Sequence, residues 1–168
     1  MSPPAAGHGE GQKQPGRLSD LWLAARLFLW SLALPILKRL FRLETLVRVV
    51  WAAPRTSRRR PDLERRVVRL AHAVWARSPA GRSDENCLER SLAVYRFLSR
   101  LNADPELVAA LRKDGSNLLG HVWVTVEGKP LGENSTELGE YTPMIVFGAR
   151  GRPTWRAEST GQLARADR

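Results

Sequence analysis

The spacing of apolar residues along this chain changes several times, and each change predicts an element. Residues 18–53 are the most hydrophobic stretch, interrupted by Arg26 and Pro35. Its uncharged run, Leu27 to Leu37, is 11 residues, whereas a bilayer span needs roughly 20. Two readings stay open: a helix buried in a domain, or a helix lying in a lipid interface with Trp22 and Trp30 at the boundary. Lys38, Arg39, Arg42 and Arg48 follow at spacings that would give a helix one basic face. Pro54 to Pro61, carrying Arg58-Arg59-Arg60, reads as a solvated linker.

From Asp62 to Arg77 the period is helical. Leu63, Val67, Leu70 and Val74 form one stripe, with Arg65, Arg66 and Arg69 off it. Asp62 and Glu64 suit the N-terminus of this helix, and Pro61 precedes it. His72 and Trp75 lie near the stripe, which suits His72 to packing better than to chemistry. After the turn 78–82, Ser83 or Asp84 can cap a further helix running to about Leu101, with Leu88, Leu92, Tyr95 and Leu98 on one side. Asn102-Ala103-Asp104-Pro105 ends it. Glu106 to Arg112 is an apolar run that is either strand or short helix. Lys113-Asp114-Gly115-Ser116 is a turn.

The clearest strand is His121 to Glu127, where Val122, Val124 and Val126 alternate with Trp123 and Thr125. Gly128-Lys129 is read as its hairpin turn, with Pro130 to Glu133 returning. Tyr141 to Phe147 is a last strand, and an Arg- and Gly-rich tail follows Gly148.

Charge divides the chain. Residues 1–82 hold 16 Lys/Arg against 5 Asp/Glu, or +11, and residues 83–168 hold 11 against 12, or −1. A basic half can serve acidic peptides, anionic lipid or nucleic acid. The nucleic-acid reading finds no recognised motif. Residues 1–17 are Gly/Pro/Gln-rich and are expected to be disordered, with no signal-peptide cleavage pattern. One cysteine excludes an internal disulfide or a Cys-rich zinc site and fits a reducing compartment. His8, His72 and His121 are too scattered for a metal cluster, so neither metal nor cofactor is expected.

The single cysteine, Cys87, falls near a helix start, and His121 follows 34 residues later at the head of a strand. A helix N-terminus lowers a thiol pKa, and an imidazole can take its proton. Acyl chemistry also needs a group to orient the imidazole and donors for an oxyanion. Glu133, twelve residues after His121 across the hairpin, is the candidate orienting group, with Asn134 in reserve. The Cys87 backbone N–H is the natural oxyanion donor, and Asn86 is adjacent. The bland alternative is a small buried cysteine and a strand-capping histidine.

The segments Cys87-Leu88-Glu89-Arg90-Ser91-Leu92 and Gly120-His121-Val122-Trp123-Val124-Thr125-Val126-Glu127-Gly128-Lys129-Pro130-Leu131 resemble the transglutaminase-like cysteine-protease domain of lasso-peptide maturation B proteins, the microcin-processing C-terminal domain. The matching motifs cover about residues 83–133. The resemblance implies a Cys–His–acid triad that cleaves the leader from a ribosomally made precursor peptide, with the triad on Cys87, His121 and Glu133. Glu133 stands where the family usually has Asp. It also implies two partners: a separate leader-recognition protein, binding by strand addition, and an ATP-dependent cyclase.

Together these readings predict an α+β chain with basic N-terminal helices before a papain/transglutaminase-like core, a helix packed on a small antiparallel sheet. The expected divisions are 1–17 tail, 18–60 hydrophobic and basic helical region with linker, 61–148 cysteine-protease core and 149–168 tail. The expected function is leader removal in the cytoplasm, with peripheral contact to the inner face of the membrane through residues 18–53 as a further expectation. The alternatives are a transglutaminase-like acyltransferase or amidase, and an inactive peptide- or membrane-binding scaffold.

Overall fold

A computed structural model describes residues 17–77 and 86–154. Four helices precede a five-stranded antiparallel sheet, so the chain is α+β. The helices are α1 (Arg17–Leu40), α2 (Leu43–Val50), α3 (Pro61–Arg77) and α4 (Cys87–Arg100). The strands are β1 (Pro105–Asp114), β2 (Asn117–Val126), β3 (Lys129–Pro130), β4 (Thr142–Phe147) and β5 (Pro153–Thr154), with a short helix α5 (Ser135–Leu138) before β4. The spatial order is β3-β2-β1-β4-β5.

The helices cover one face of the sheet. Leu92, Tyr95 and Leu98 of α4 meet Leu107, Val124, Val126 and Phe147 in a core that also takes Val67, Ala71 and Trp75 of α3. Leu27 and Leu34 of α1 are fully buried in this same core. The alternation along β2 sorts its side chains. Val124 and Val126 turn to the helices, while Trp123 joins Val108, Ala110, Leu138 and Val146 on the opposite face.

Glu106 to Arg112, open between strand and helix in the sequence, is strand. It pairs with β2 on one side and β4 on the other, and that pairing outweighs the helical preference of Leu107, Ala109 and Ala110. β2 begins at Asn117, earlier than the pattern suggested, so His121 is mid-strand. The β2–β3 turn is Glu127-Gly128 rather than Gly128-Lys129. Both residues have left-handed φ, +53° and +73°, as a two-residue turn matched to strand twist requires.

Other expectations are corrected. Lys38, Arg39, Arg42 and Arg48 do not share one helix, because the chain breaks at Phe41-Arg42 between α1 and α2. Lys38 instead pairs with the buried Glu89 at 2.5 Å. Arg66, read as lying off the apolar stripe, is buried against Asp20 and Ser19. Arg59 of the basic triplet bonds Glu64 at 2.7 and 2.9 Å. The first residues after Gly148 are not a free tail. Ala149–Gly151 form a tight turn and β5 extends the sheet edge beside β4. Tyr95 fastens this corner, donating to Gly148 O at 2.6 Å and accepting from Gly151 N–H at 3.0 Å. Ser83 and Asp84, expected as caps, lie outside the described residues, as do residues 1–16 and 155–168.

Candidate active site

Cys87 is the first residue of α4, with Asn86 at the N-cap. The first-turn N–H groups of a helix have no partner within it and carry partial positive charge. The helix is fixed laterally by Val122 on the open edge of β2. Ser91, one turn after Cys87, donates its hydroxyl to Val122 O at 2.8 Å, and the Val122 backbone N–H is turned toward the Cys87 sulfur, favouring its thiolate. Both polar groups of one strand residue are thus used by α4, which places Cys87 beside His121.

Cys87 and His121 stand beside each other at the wall of one cleft, each favouring the other's charged form. The Nε2 of His121 faces Glu133 Oε2 at 3.6 Å, an ion-pair contact longer than a direct hydrogen bond. The ring lies against Trp123, centroids 5.9 Å apart, and Tyr141, 5.3 Å. Glu133 is held at its other oxygen by Arg90 Nη2 at 2.5 Å. Gly132 determines where that carboxylate can stand. Its φ is +74°, and a β-carbon there would lie 2.6 Å from Val68 Cγ1 and 2.7 Å from His72 Nε2. Only glycine lets the return segment sit this close to α3.

The electrostatics follow from these contacts. Burial pushes the Cys87 thiol up, but the neighbouring His121 and Val122 N–H, with the Arg90 charge, bring it below its ordinary value. His121 is raised to about 9, first by the Cys87 sulfur and then by the Glu133 carboxylate, against burial. Burial opposes ionisation of Glu133, yet His121 and the Arg90 charge hold its carboxyl below the usual range. Burial, then Arg90, lower His72. The contacts therefore favour a thiolate beside an imidazolium backed by a carboxylate, the state in which a nucleophile has its proton donor in place.

These groups open into a cleft of about 1020 Å³. Trp75, Asn86, Arg112, Leu119 and Tyr141 are among its lining residues. The sequence-derived trio Cys87, His121 and Glu133 is brought together. Asn134 is not part of it, since its side chain caps α5, accepting from Thr136 N–H at 3.1 Å. Arg90, Ser91, Val122 and Gly132 were missed. Arg90 carried a readable signal, standing three residues after Cys87 and so on the same helix face. Val122 carried none, because its role is played by backbone.

A cysteine at a helix start, meeting a histidine at the edge of an antiparallel sheet, defines a papain- or transglutaminase-type arrangement of an α+β fold. The family model described as the transglutaminase-like superfamily matches residues 28–146. The chain belongs to that superfamily. The match begins inside α1 and ends within β4. No curated protein and no solved structure matches the chain.

Proposed function

We propose that this chain is a cysteine peptidase that removes the leader from a ribosomally made precursor peptide, as in lasso-peptide maturation. The juxtaposition of Cys87 and His121 at the wall of an open cleft, with Glu133 3.6 Å behind the imidazole, carries the reading. Superfamily membership supports thiol-based acyl chemistry. The motifs around Cys87 and His121 favour the leader-peptidase branch.

In this mechanism the Cys87 thiolate attacks the scissile carbonyl carbon. The oxyanion that forms accepts from the Cys87 backbone N–H at the start of α4. Collapse breaks the C–N bond, and the His121 imidazolium gives its proton to the departing amine. The resulting thioester is attacked by water, whose proton passes to His121. The acid is released and the thiolate–imidazolium pair returns. Glu133 orients His121 and stabilises its charged form. Its longer side chain still reaches Nε2, at 3.6 Å, although the family usually has Asp. A separate leader-recognition protein and an ATP-dependent cyclase complete the pathway.

The test is incubation of the full chain with a candidate lasso-type precursor peptide and a leader-recognition protein, read by mass spectrometry. Separate leader and core are expected, absent with Cys87→Ala and nearly absent with His121→Ala. Cleavage by folded Cys87→Ala would end the mechanism. Superfamily membership also favours one second reading, in which an amine replaces water at the thioester. Product mass separates the two, since transfer adds the acceptor's mass less water and hydrolysis leaves a free acid.

A further inference from the structure

The helical layer has an outer surface that the chemistry above does not use. Along α1, Leu27 and Leu34 are buried in the core. At 3.6 residues per turn, Leu18, Leu21, Leu29, Leu32 and Ile36 fall on the opposite side. All five are exposed, Leu29 at 64 % and Ile36 at 62 %. From Leu18 to Leu37 the only charged residues are Asp20 and Arg26. Asp20 is turned inward to the buried Arg66. The exposed face is therefore apolar over some five turns, without a charge of its own.

One flank of that face is strongly cationic. Arg26 of α1 lies over the Trp22 ring at 4.7 Å and faces Phe97 of α4 at 5.5 Å. Arg96 lies over Trp30 at 4.5 Å and donates to Val50 O at 2.7 Å. Arg100 follows one turn later on α4, and its backbone carbonyl accepts from Arg55 N–H at 2.9 Å. Four guanidinium groups share this seam, and among the described residues none of them pairs with a carboxylate. The Nε atoms of Arg96 and Arg100 are buried without a hydrogen-bond partner. Burial and the charges of their arginine neighbours both oppose the charged forms of Arg96 and Arg100. Gathering like charges is costly unless an anion joins them.

We infer that this surface docks on an anionic phospholipid bilayer, with the apolar face of α1 entering the acyl boundary and Arg26, Arg55, Arg96 and Arg100 receiving lipid phosphates. The chemistry on each side of the seam selects that occupant. Trp22 and Trp30 stand between the apolar and cationic zones, the level that indoles occupy at a membrane interface. Guanidinium groups match phosphate oxygens in geometry and charge. A second copy of the chain fits poorly, because a symmetric contact would bring the same uncompensated arginines together. By length and composition Leu18–Leu40 could also cross a membrane. Here, however, one side of it is occupied by α3, α4 and the Asp20–Arg66 pair, so it lies along the surface.

The test uses the full chain and vesicles of phosphatidylcholine, alone or with about a quarter phosphatidylglycerol. Co-sedimentation and tryptophan fluorescence report binding. Binding to the anionic vesicles alone is expected, weakening as salt rises. Arg26→Gln and Arg100→Gln remove charges whose side chains donate no hydrogen bond among the described residues. Each is expected to weaken binding about fivefold. Leu29→Gln should weaken it on the same vesicles, and circular dichroism should show all variants folded. Equal binding to neutral and anionic vesicles would overturn the proposal, as would no binding to either. Self-association abolished by Leu29→Gln, or capture only by an acidic protein, would overturn it in favour of a protein partner.

Discussion

Replacing Gly132 by Ala tests whether the return segment after β3 sets the geometry of the site. The new β-carbon would stand 2.6 Å from Val68 Cγ1, whereas ordinary contact begins at 3.4 Å, so something must move by about 0.8 Å. Both neighbours belong to α3, whose inner side is packed in the core, so the displacement falls largely on the segment carrying Glu133. The His121–Glu133 contact is already 3.6 Å and has little slack before it ceases to be an ion pair. Gly128→Ala is the control. Gly128 has nearly the same φ, +73°, with no atom within 4 Å of the added carbon. Each alanine pays about 1–2 kcal/mol for the left-handed conformation. Each restricts the unfolded chain equally. The difference between them therefore isolates crowding, about 1–3 kcal/mol. Urea denaturation of the two variants measures it. The second reading is the pH dependence of Cys87 alkylation by iodoacetamide. A displaced Glu133 supports the imidazolium less, so thiolate reactivity should shift to higher pH in Gly132→Ala and stay unchanged in Gly128→Ala. Equal stabilities, or an unmoved alkylation profile in Gly132→Ala, would refute the claim that this glycine positions Glu133.

Three further outcomes are expected. Activity needs the thiolate and the imidazolium together, so the rate should rise as Cys87 ionises, below its ordinary value of 9.0. It should fall as His121 loses its proton near about 9. In Glu133→Gln the alkaline limb should move to lower pH, and a rate still rising past about pH 9 would contradict the ion-pair state. Ser91→Ala leaves Val122 O without its donor, costing about 1–3 kcal/mol. It should also slow Cys87 alkylation near neutral pH; stability loss with unchanged alkylation would show that Ser91 does not place the cysteine. Tyr95→Phe removes one of two partners from both Gly148 O and Gly151 N–H, which still bond each other at 3.1 Å, and should lower stability by about 1–2 kcal/mol in urea titration. Spectrophotometric titration of the wild type should find this buried phenol pushed up to about 12.

Much of this protein was determined by local sequence. The helical period of α3 and the alternation from Val122 to Val126 are periodic signals, and periodicity survives without tertiary context, although the buried side of α3 centres on Val67, Val68, Ala71 and Trp75 rather than on the whole stripe of Leu63, Val67, Leu70 and Val74. The Cys87 and His121 pair was legible because cysteine and histidine bear chemistry and Cys87 stands at a recognisable helix start, although His121 proved to be mid-strand rather than at the head of β2. Glu133 was legible because a hairpin fixes which later residue returns beside an earlier one. Only the tertiary structure could decide Glu106 to Arg112, whose leucines and alanines suit either conformation until β2 and β4 pair with it. It alone showed that Arg66 is buried, since Asp20 is distant in sequence. It alone assigned the work of Ser91, Val122 and Gly132. A backbone N–H, a hydroxyl on a helix and a missing β-carbon acquire meaning only from what lies across the fold, and no spacing along the chain encodes that.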